Sequence, residues 1–153
     1  MILPTKYFGD LECADDGIID FPQGIPGFEH LRRFVCLEQP VARPIVYLQS
    51  TTDRDLCFLT IPARSIDAAY SVRLTADEAD CLNLEPSETA IGTDIACMAI
   101  LSTEAGTDPT ANLFAPVVIN IRDRIGMQVI QSHSKYSFRH SVVSDVSNGS
   151  AAC

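Results

Sequence analysis

Short apolar runs separated by turn-forming residues recur along most of this chain. They are rich in β-branched and aromatic side chains, and those at 34–38, 45–50 and 56–61 follow one another at about 10 to 12 residues, which favours strands over helices. Prolines stand at the ends of several runs, where a missing N–H does least harm to a sheet. The pattern is typical of a mainly β domain, either a small antiparallel barrel or a sandwich. The predicted strands are 17–21, 34–38, 45–50, 56–61, 69–74 and 95–102.

The clearest pair of strands lies near the C-terminal end. Residues 116–121 and 126–131 are two β-branched runs, and the polar stretch 122–125 separates them. This arrangement predicts a β-hairpin. Arg124 and Gln128 would then stand on its outward face, either as a polar pair across the strands or as contacts for a partner.

A capping box marks one short helix. Thr75 is followed three residues later by Glu78, so that each side chain can accept a hydrogen bond from the other residue's backbone N–H. Pro86 limits this helix to about two turns. A second short helical turn is predicted at 29–33, which brings the expected number of short helices to one or two.

The length of 153 residues is close to that of one domain. We assign residues 1–143 to a single β domain and the Ser-, Gly- and Ala-rich residues 144–153 to a flexible tail. No apolar stretch approaches the roughly 20 residues that span a bilayer, and the N-terminus does not resemble a signal peptide. A cytoplasmic protein without membrane contact is therefore expected, and we expect it to be a monomer when free.

The charge of the chain is acidic and unevenly distributed. A net charge of −9 argues against direct binding of nucleic acid, which requires a basic face. Residues 74–121 contain eight acids and no Lys or Arg, whereas residues 122–140 contain four basic residues and one acid. The acidic region is either a solvated helix with loops or a docking face for a basic protein. The docking candidates are Asp77, Glu78 and Asp80.

Sequence patterns for catalysis, metal binding or a cofactor are missing. The six cysteines contain no C-x-x-C pair, and we interpret them as reduced thiols, with Cys153 exposed at the end of the tail. The chain lacks the G-x-S-x-G, P-loop and H-E-x-x-H patterns. We therefore expect a binding protein and not an enzyme, with no catalytic residue, no metal and no cofactor.

Two segments suggest specific local structure. In 21–29, Pro26-Gly27 suits the centre of a type II turn, and Phe21 and Phe28 would anchor this loop in the core. The structural residues of the loop are Phe21, Gly24, Pro26, Gly27, Phe28 and Glu29. In 47–50, Tyr47 and Gln49 alternate with Leu48, so an inward Leu48 would leave both exposed as interface anchors.

A third segment, 112–120, continues through 124–129 to 136–140. Asn112 and Asn120 flank its strand, and Asn side chains readily form hydrogen bonds with turn backbone. Asn120 is also a candidate for contact with another protein. The ordered set of the three segments resembles the FliW family of flagellar assembly factors. The resemblance covers about residues 5 to 143, although Ser141 stands where the family usually has Pro.

The resemblance implies a small antiparallel β-barrel-like protein that is cytoplasmic and non-enzymatic. It also implies two partners. Proteins of this family bind the RNA-binding translational repressor CsrA, noncompetitively with RNA, and thereby relieve repression of flagellin translation. They also bind flagellin, which sequesters them. Two alternatives stay open: a barrel that binds a small ligand, and a dedicated flagellin chaperone that does not contact the repressor.

Overall fold

The described strands form a sheet that closes into a barrel and a separate two-stranded hairpin near the N-terminus. The computed structural model describes residues 2–104 and 106–142. The two short helices are α1 (Ala63–Ile66) and α2 (Ala76–Cys81), and single 3-10 turns span Asp15–Gly17 and Pro40–Ala42. The strands are β1 (Ile2–Thr5), β2 (Gly9–Glu12), β3 (Ile18–Asp20), β4 (Arg33–Glu38), β5 (Val46–Ser50), β6 (Cys57–Pro62), β7 (Ile95–Ser102), β8 (Thr110–Ala111), β9 (Val117–Asn120), β10 (Ile125–Gln128) and β11 (His140–Ser141).

Seven of the strands close into a barrel in the order β7-β6-β5-β4-β3-β10-β9, with β9 pairing back onto β7. All pairings in the barrel are antiparallel except that of β3 with β10. The predicted hairpin is confirmed, since Ile119 of β9 lies opposite Gly126 of β10. The mainly β fold class and its barrel-like form are therefore confirmed.

The barrel interior is filled by apolar side chains from alternate strand positions. Phe21 and Phe34 are fully buried there and contact each other edge to face, with ring centroids 5.2 Å apart. A Cβ atom on Gly126 would lie only 2.7 Å from the Phe21 ring, so glycine is what leaves room for this aromatic side chain. The other buried interior residues are Ile19, Ile25, Leu31, Leu48, Met98, Val117 and Ile119.

A second apolar core covers part of the outer face of the barrel. The segment 63–94, which contains both helices, packs over β6, β7, β9 and β10. Its Tyr70 is fully buried and donates a hydrogen bond from its hydroxyl to the Leu113 carbonyl at 2.6 Å. A smaller cluster forms where Leu3 of the β1–β2 hairpin packs against Ile18 and Val35. The barrel is thus covered on two sides.

Some sequence predictions of local structure are wrong. Residues 69–74 form no strand, because this segment crosses the outside of the barrel and buries Tyr70 and Val72 there. Residues 29–33 form no helix. The chain makes one tight turn there, closed by a hydrogen bond from the Leu31 N–H to the Phe28 carbonyl, and β4 then begins at Arg33. The β1–β2 hairpin and α1 were not predicted. The predicted tail 144–153, with Cys153, lies outside the described residues.

Candidate functional site

Helix α2 begins with the predicted capping box. The Glu78 backbone N–H donates to the Thr75 hydroxyl at 3.1 Å, and the Thr75 N–H donates to Glu78 Oε1 at 2.8 Å. The Glu78 carboxylate is therefore engaged in the helix itself. Asp77 and Asp80 are exposed and take part in none of the ion pairs found among the described residues. Of the acidic docking candidates, these two are free to meet a basic partner.

Asn120 joins the β9–β10 hairpin to the segment after α2. It is fully buried, and its Nδ2 donates to the Leu82 carbonyl at 2.8 Å. Its Oδ1 accepts from the backbone N–H of Asp123 at 3.2 Å. The prediction that Asn120 contacts a partner is wrong, because residues 82 and 83 cover its position on the outer face of the barrel. Its role is to hold backbone.

Arg122 lies at the centre of a polar cluster on the hairpin turn. Its guanidinium donates to Glu88 Oε2 at 3.0 Å, to Asp123 Oδ2 at 3.2 Å and to the Asn83 carbonyl at 3.0 Å. These bonds connect the turn to the segment that follows α2. Arg122 lowers the pKa of the Asp123 carboxyl, and Asn83 adds to that effect. The Glu88 pKa is lowered first by the backbone N–H of Glu85 and then by Arg122.

The loop 21–29 forms the predicted tight turn. The Phe28 N–H donates to the Ile25 carbonyl at 2.7 Å, and Gly27 has a φ of 88°, as the third position of a type II turn requires. Both carboxylate oxygens of Glu29 accept from the Gly27 N–H at 3.0 Å. A Cβ on Gly24 would lie 2.5 Å from the Glu29 Cα, so the two backbones are packed directly together. Pro26 is exposed at the tip of the loop.

This loop is in contact with both α2 and β10. Gln23 Nε2 donates to Cys81 Sγ at 3.2 Å at the end of the helix. A shallow groove of about 190 Å³ separates the loop from Met127 and Gln128 of β10. Gln128 is half-buried and donates to the Ala115 carbonyl at 2.9 Å, so its amide is partly committed to the fold.

We call the exposed residues of loop 21–29, helix α2 and the β9–β10 turn the hairpin–helix face. Arg124 is exposed at the turn with a φ of 55°, and its carbonyl accepts from the Asp20 N–H at 2.9 Å, which fixes the turn against β3. The structure therefore brings together the loop, the helix and the hairpin, which lie far apart in sequence. The members of the hairpin–helix face are Gln23, Pro26, Asp77, Asp80, Arg122 and Arg124.

Tyr47 and Gln49 belong to a different part of the barrel. Gln49 is fully buried, and its Nε2 donates to the carbonyls of Leu56 at 3.0 Å and Ser50 at 3.1 Å. The prediction that Gln49 is exposed is wrong, because the turn 51–56 folds back over its side chain. Tyr47 is half-exposed and contacts Phe8 edge to face, with ring centroids 5.0 Å apart.

Sequence reasoning missed several residues that organise this region. Arg122 was assigned only to a polar turn, and Asn83, Glu88 and Gln23 were not selected. One signal could have indicated Arg122. It is the first basic residue after the 48 residues 74–121, in which every charged side chain is acidic. A lone cation at the end of such a stretch is well placed to form an ion pair with one of those acids.

In residues 2–104 and 106–142, no three His, Cys, Asp or Glu side chains stand close enough together to hold a metal ion. None of the helices in the same residues is both long enough and apolar enough to cross a membrane.

Comparison with known proteins decides the family. The family model described as FliW protein matches residues 2–142. The chain belongs to the FliW family. The flagellar assembly factor FliW of Anoxybacillus flavithermus is 37% identical over 142 residues, which are 92% of this chain and 93% of that protein. That of Desulfitobacterium hafniense is 38% identical over 149 residues, covering 95% and 93% respectively.

The fold agrees with that of a solved FliW protein. A crystal structure of the flagellar assembly factor FliW superposes with a TM-score of 0.81 at 36% identity and covers 93% of this chain and 96% of its own. The family resemblance drawn from the three sequence segments is therefore confirmed over almost the whole described chain.

Proposed function

We propose that this FliW family member is a non-enzymatic, cytoplasmic binding protein that regulates flagellin synthesis. It binds the translational repressor CsrA, antagonises it noncompetitively with RNA, and is itself sequestered by flagellin. The observation that carries this proposal is the family match over residues 2–142 of a chain whose net charge is −9. Proteins that bind RNA carry basic surfaces, and an acidic partner is attracted to them.

Two acids of helix α2 on the hairpin–helix face supply the charge for this contact. Asp77 and Asp80 are exposed and belong to none of the ion pairs among the described residues. Their carboxylates are therefore available to pair with Lys or Arg side chains of a basic surface. Arg122, by contrast, is held by Glu88 and Asp123. A bound acidic chain would also repel RNA phosphates within a Debye length, about 8 Å at physiological salt. RNA affinity would then fall without the RNA site being occupied.

Calorimetric titration against each purified partner tests the proposal. We expect wild type to bind CsrA and, separately, flagellin at micromolar concentration. The Asp77→Asn/Asp80→Asn double variant is expected to bind CsrA about tenfold more weakly at low salt, with the difference shrinking as salt rises. The matched control is Asp15→Asn/Asp16→Asn, which removes the same charge from an exposed 3-10 turn. Absence of binding to both partners would contradict the proposal.

The dedicated flagellin chaperone is the second candidate. It shares the family match and the net charge of −9, and it differs only in lacking the repressor contact. Binding to flagellin with no heat of binding to CsrA would favour it. The small-ligand barrel is disfavoured, because the interior is filled by aromatic and aliphatic side chains such as Phe21, Phe34 and Leu48.

A further inference from the structure

A row of apolar side chains crosses the outer face of the barrel at β4, β5 and β6. Leu37 lies opposite Tyr47, and Tyr47 lies opposite Leu59 in the strand pairing. These three alternate with side chains such as Leu48 and Phe58 that pack into the interior. In the part of the chain that the structure describes, all three members of the row stay half-exposed.

This row lies between the two segments that cover the barrel. The β1–β2 hairpin covers β3 and reaches the edge of the row, where Leu37 packs against the Leu3 cluster and Phe8 contacts Tyr47. The segment 63–94 covers β7, β9, β10 and the end of β6 at Ile61. Together with Tyr7, which is 60% exposed, the side chains of the row form a contiguous apolar patch, and contiguous apolar patches on a surface mark interaction sites.

Two grooves flank the tip of the β1–β2 hairpin beside this row. Their volumes are about 470 and 320 Å³. Tyr7, Phe8 and Gln39 form a wall shared by both grooves. The larger groove is completed by Leu11, Leu37 and Glu38, and the smaller one by Tyr47, Cys57 and Leu59. The Tyr7 side chain is 60% exposed, so much of this aromatic wall is open to a ligand.

The charge at the grooves indicates the chemistry of the ligand. Glu38 is the one charged residue that lines either groove among the described residues. Its ion pair with Arg43 has an N–O distance of 3.9 Å, and both side chains are more than half exposed, so this pair is weak and easily exchanged. An apolar ligand that carries a Lys or Arg would fit the grooves and satisfy Glu38.

Two other occupants are less suitable. A second copy of this chain would bring two net charges of −9 together, and their mutual repulsion disfavours that contact. The chain's own residues 144–153 contain one Val, no larger apolar residue and no Lys or Arg. The composition of the chain therefore favours a different protein as the ligand.

We propose that the two grooves bind a protein segment that places one apolar side chain in each groove and a Lys or Arg beside Glu38. The shared wall of Tyr7 and Phe8 would separate the two anchors. Large side chains buried in preformed pockets supply most of the energy of such contacts. The inference rests on the proposed function in taking the ligand to be a protein, and it adds a docking surface separate from the hairpin–helix face.

Selection of displayed peptides on the whole chain tests this directly. Random peptides of about 12 residues would be selected on wild type, resynthesised with a fluorophore, and measured by polarisation. We expect the enriched peptides to carry two apolar residues and a basic one. They should bind Tyr47→Ser and Glu38→Lys about tenfold more weakly than wild type.

Matched variants control for general effects. Phe138→Ser removes another aromatic side chain that is 61% exposed, and Glu85→Lys reverses another exposed acid. Both should bind the peptides within about twofold of wild type. Glu38 is exposed and not part of the core, so its variant keeps the test valid if Tyr47→Ser is poorly folded, which circular dichroism would reveal.

Three outcomes would overturn the inference. They are failure to enrich any peptide, enrichment of peptides that bind the groove variants as well as wild type, and concentration-dependent dimerisation that Tyr47→Ser abolishes. The selection uses neither CsrA nor flagellin. Failure of those two proteins to bind would therefore contradict the proposed function alone. The peptide selection decides on the grooves independently.

Discussion

The side-chain amide of Gln131 takes the place of a strand partner for Arg73. Its Oε1 accepts from the Arg73 N–H at 2.8 Å, and its Nε2 donates to the Arg73 carbonyl at 2.9 Å. Gln131 is almost fully buried. The Gln131 side chain thus holds the backbone of the segment 69–74 at Arg73 without a ladder of backbone hydrogen bonds.

Replacing Gln131 with Ala should leave both backbone groups of Arg73 without these partners. We expect a loss of about 1–3 kcal/mol in the free energy of unfolding, because unsatisfied polar groups cost more than the bond itself. Urea denaturation followed by circular dichroism would measure the change. Ser132→Ala, at the exposed neighbouring position, serves as the control and should change little. An unchanged midpoint for Gln131→Ala would contradict this role.

The contact of Gly126 with Phe21 makes the barrel interior sensitive to one methyl group. Gly126→Ala would place Cβ 2.7 Å from the Phe21 ring, and we expect destabilisation by about 1–3 kcal/mol from overpacking. Gly17→Ala is the matched control, since its Cβ would meet nothing within 4 Å. A double-mutant cycle with Phe21→Leu should recover part of the loss. Additive effects of the two substitutions would rule out the contact as the cause.

The Arg122 cluster should make stability depend on acid pH. The pKa values of Asp123 and Glu88 are lowered from their ordinary 3.8 and 4.5, so the unfolded chain binds protons more readily than the folded one. Their stabilising contribution is therefore present above those ordinary values and is lost as the pH falls below them. Arg122→Gln should weaken this dependence below about pH 5, whereas Arg54→Gln should not. Parallel stability curves for wild type and Arg122→Gln would refute the assignment.

Burial should make one thiol unreactive. Cys97 is buried on the outer face of β7, and burial raises its pKa to about 12. Cys81 is exposed at the end of α2. We expect a thiol reagent at mildly alkaline pH to modify Cys81 in the native chain and to reach Cys97 only after unfolding. Peptide mapping by mass spectrometry would assign the modified residues. Equal labelling of both cysteines in the native state would contradict this.

Local sequence signals predicted the parts of the fold that local chemistry controls. The capping box at Thr75, the turn at Pro26-Gly27 and the β9–β10 hairpin are confirmed because each depends on residues a few positions apart. The segment 69–74 shows the limit of such signals. Its apolar alternation is real, but it buries Tyr70 and Val72 against the outside of the barrel and not within the sheet.

The candidate site was less predictable, because exposure depends on what folds over a strand. Gln49 was expected on the surface and Asn120 was a candidate for partner contact as well as for holding turn backbone, yet other segments cover both side chains. Tyr47 lies on the same face of β5 as Gln49 and stays half-exposed. No periodicity in β5 distinguishes these two positions, since the difference comes from the turn 51–56.

The partner switch is the central claim, and release of RNA from the repressor tests it most directly. Labelled flagellin-leader RNA would be bound to CsrA from the same organism, and this chain would be titrated in with and without flagellin. We predict that the chain lowers the RNA affinity of CsrA and that flagellin restores it. Unchanged RNA binding at saturating concentrations of a chain that still binds flagellin would contradict the repressor arm of the proposal.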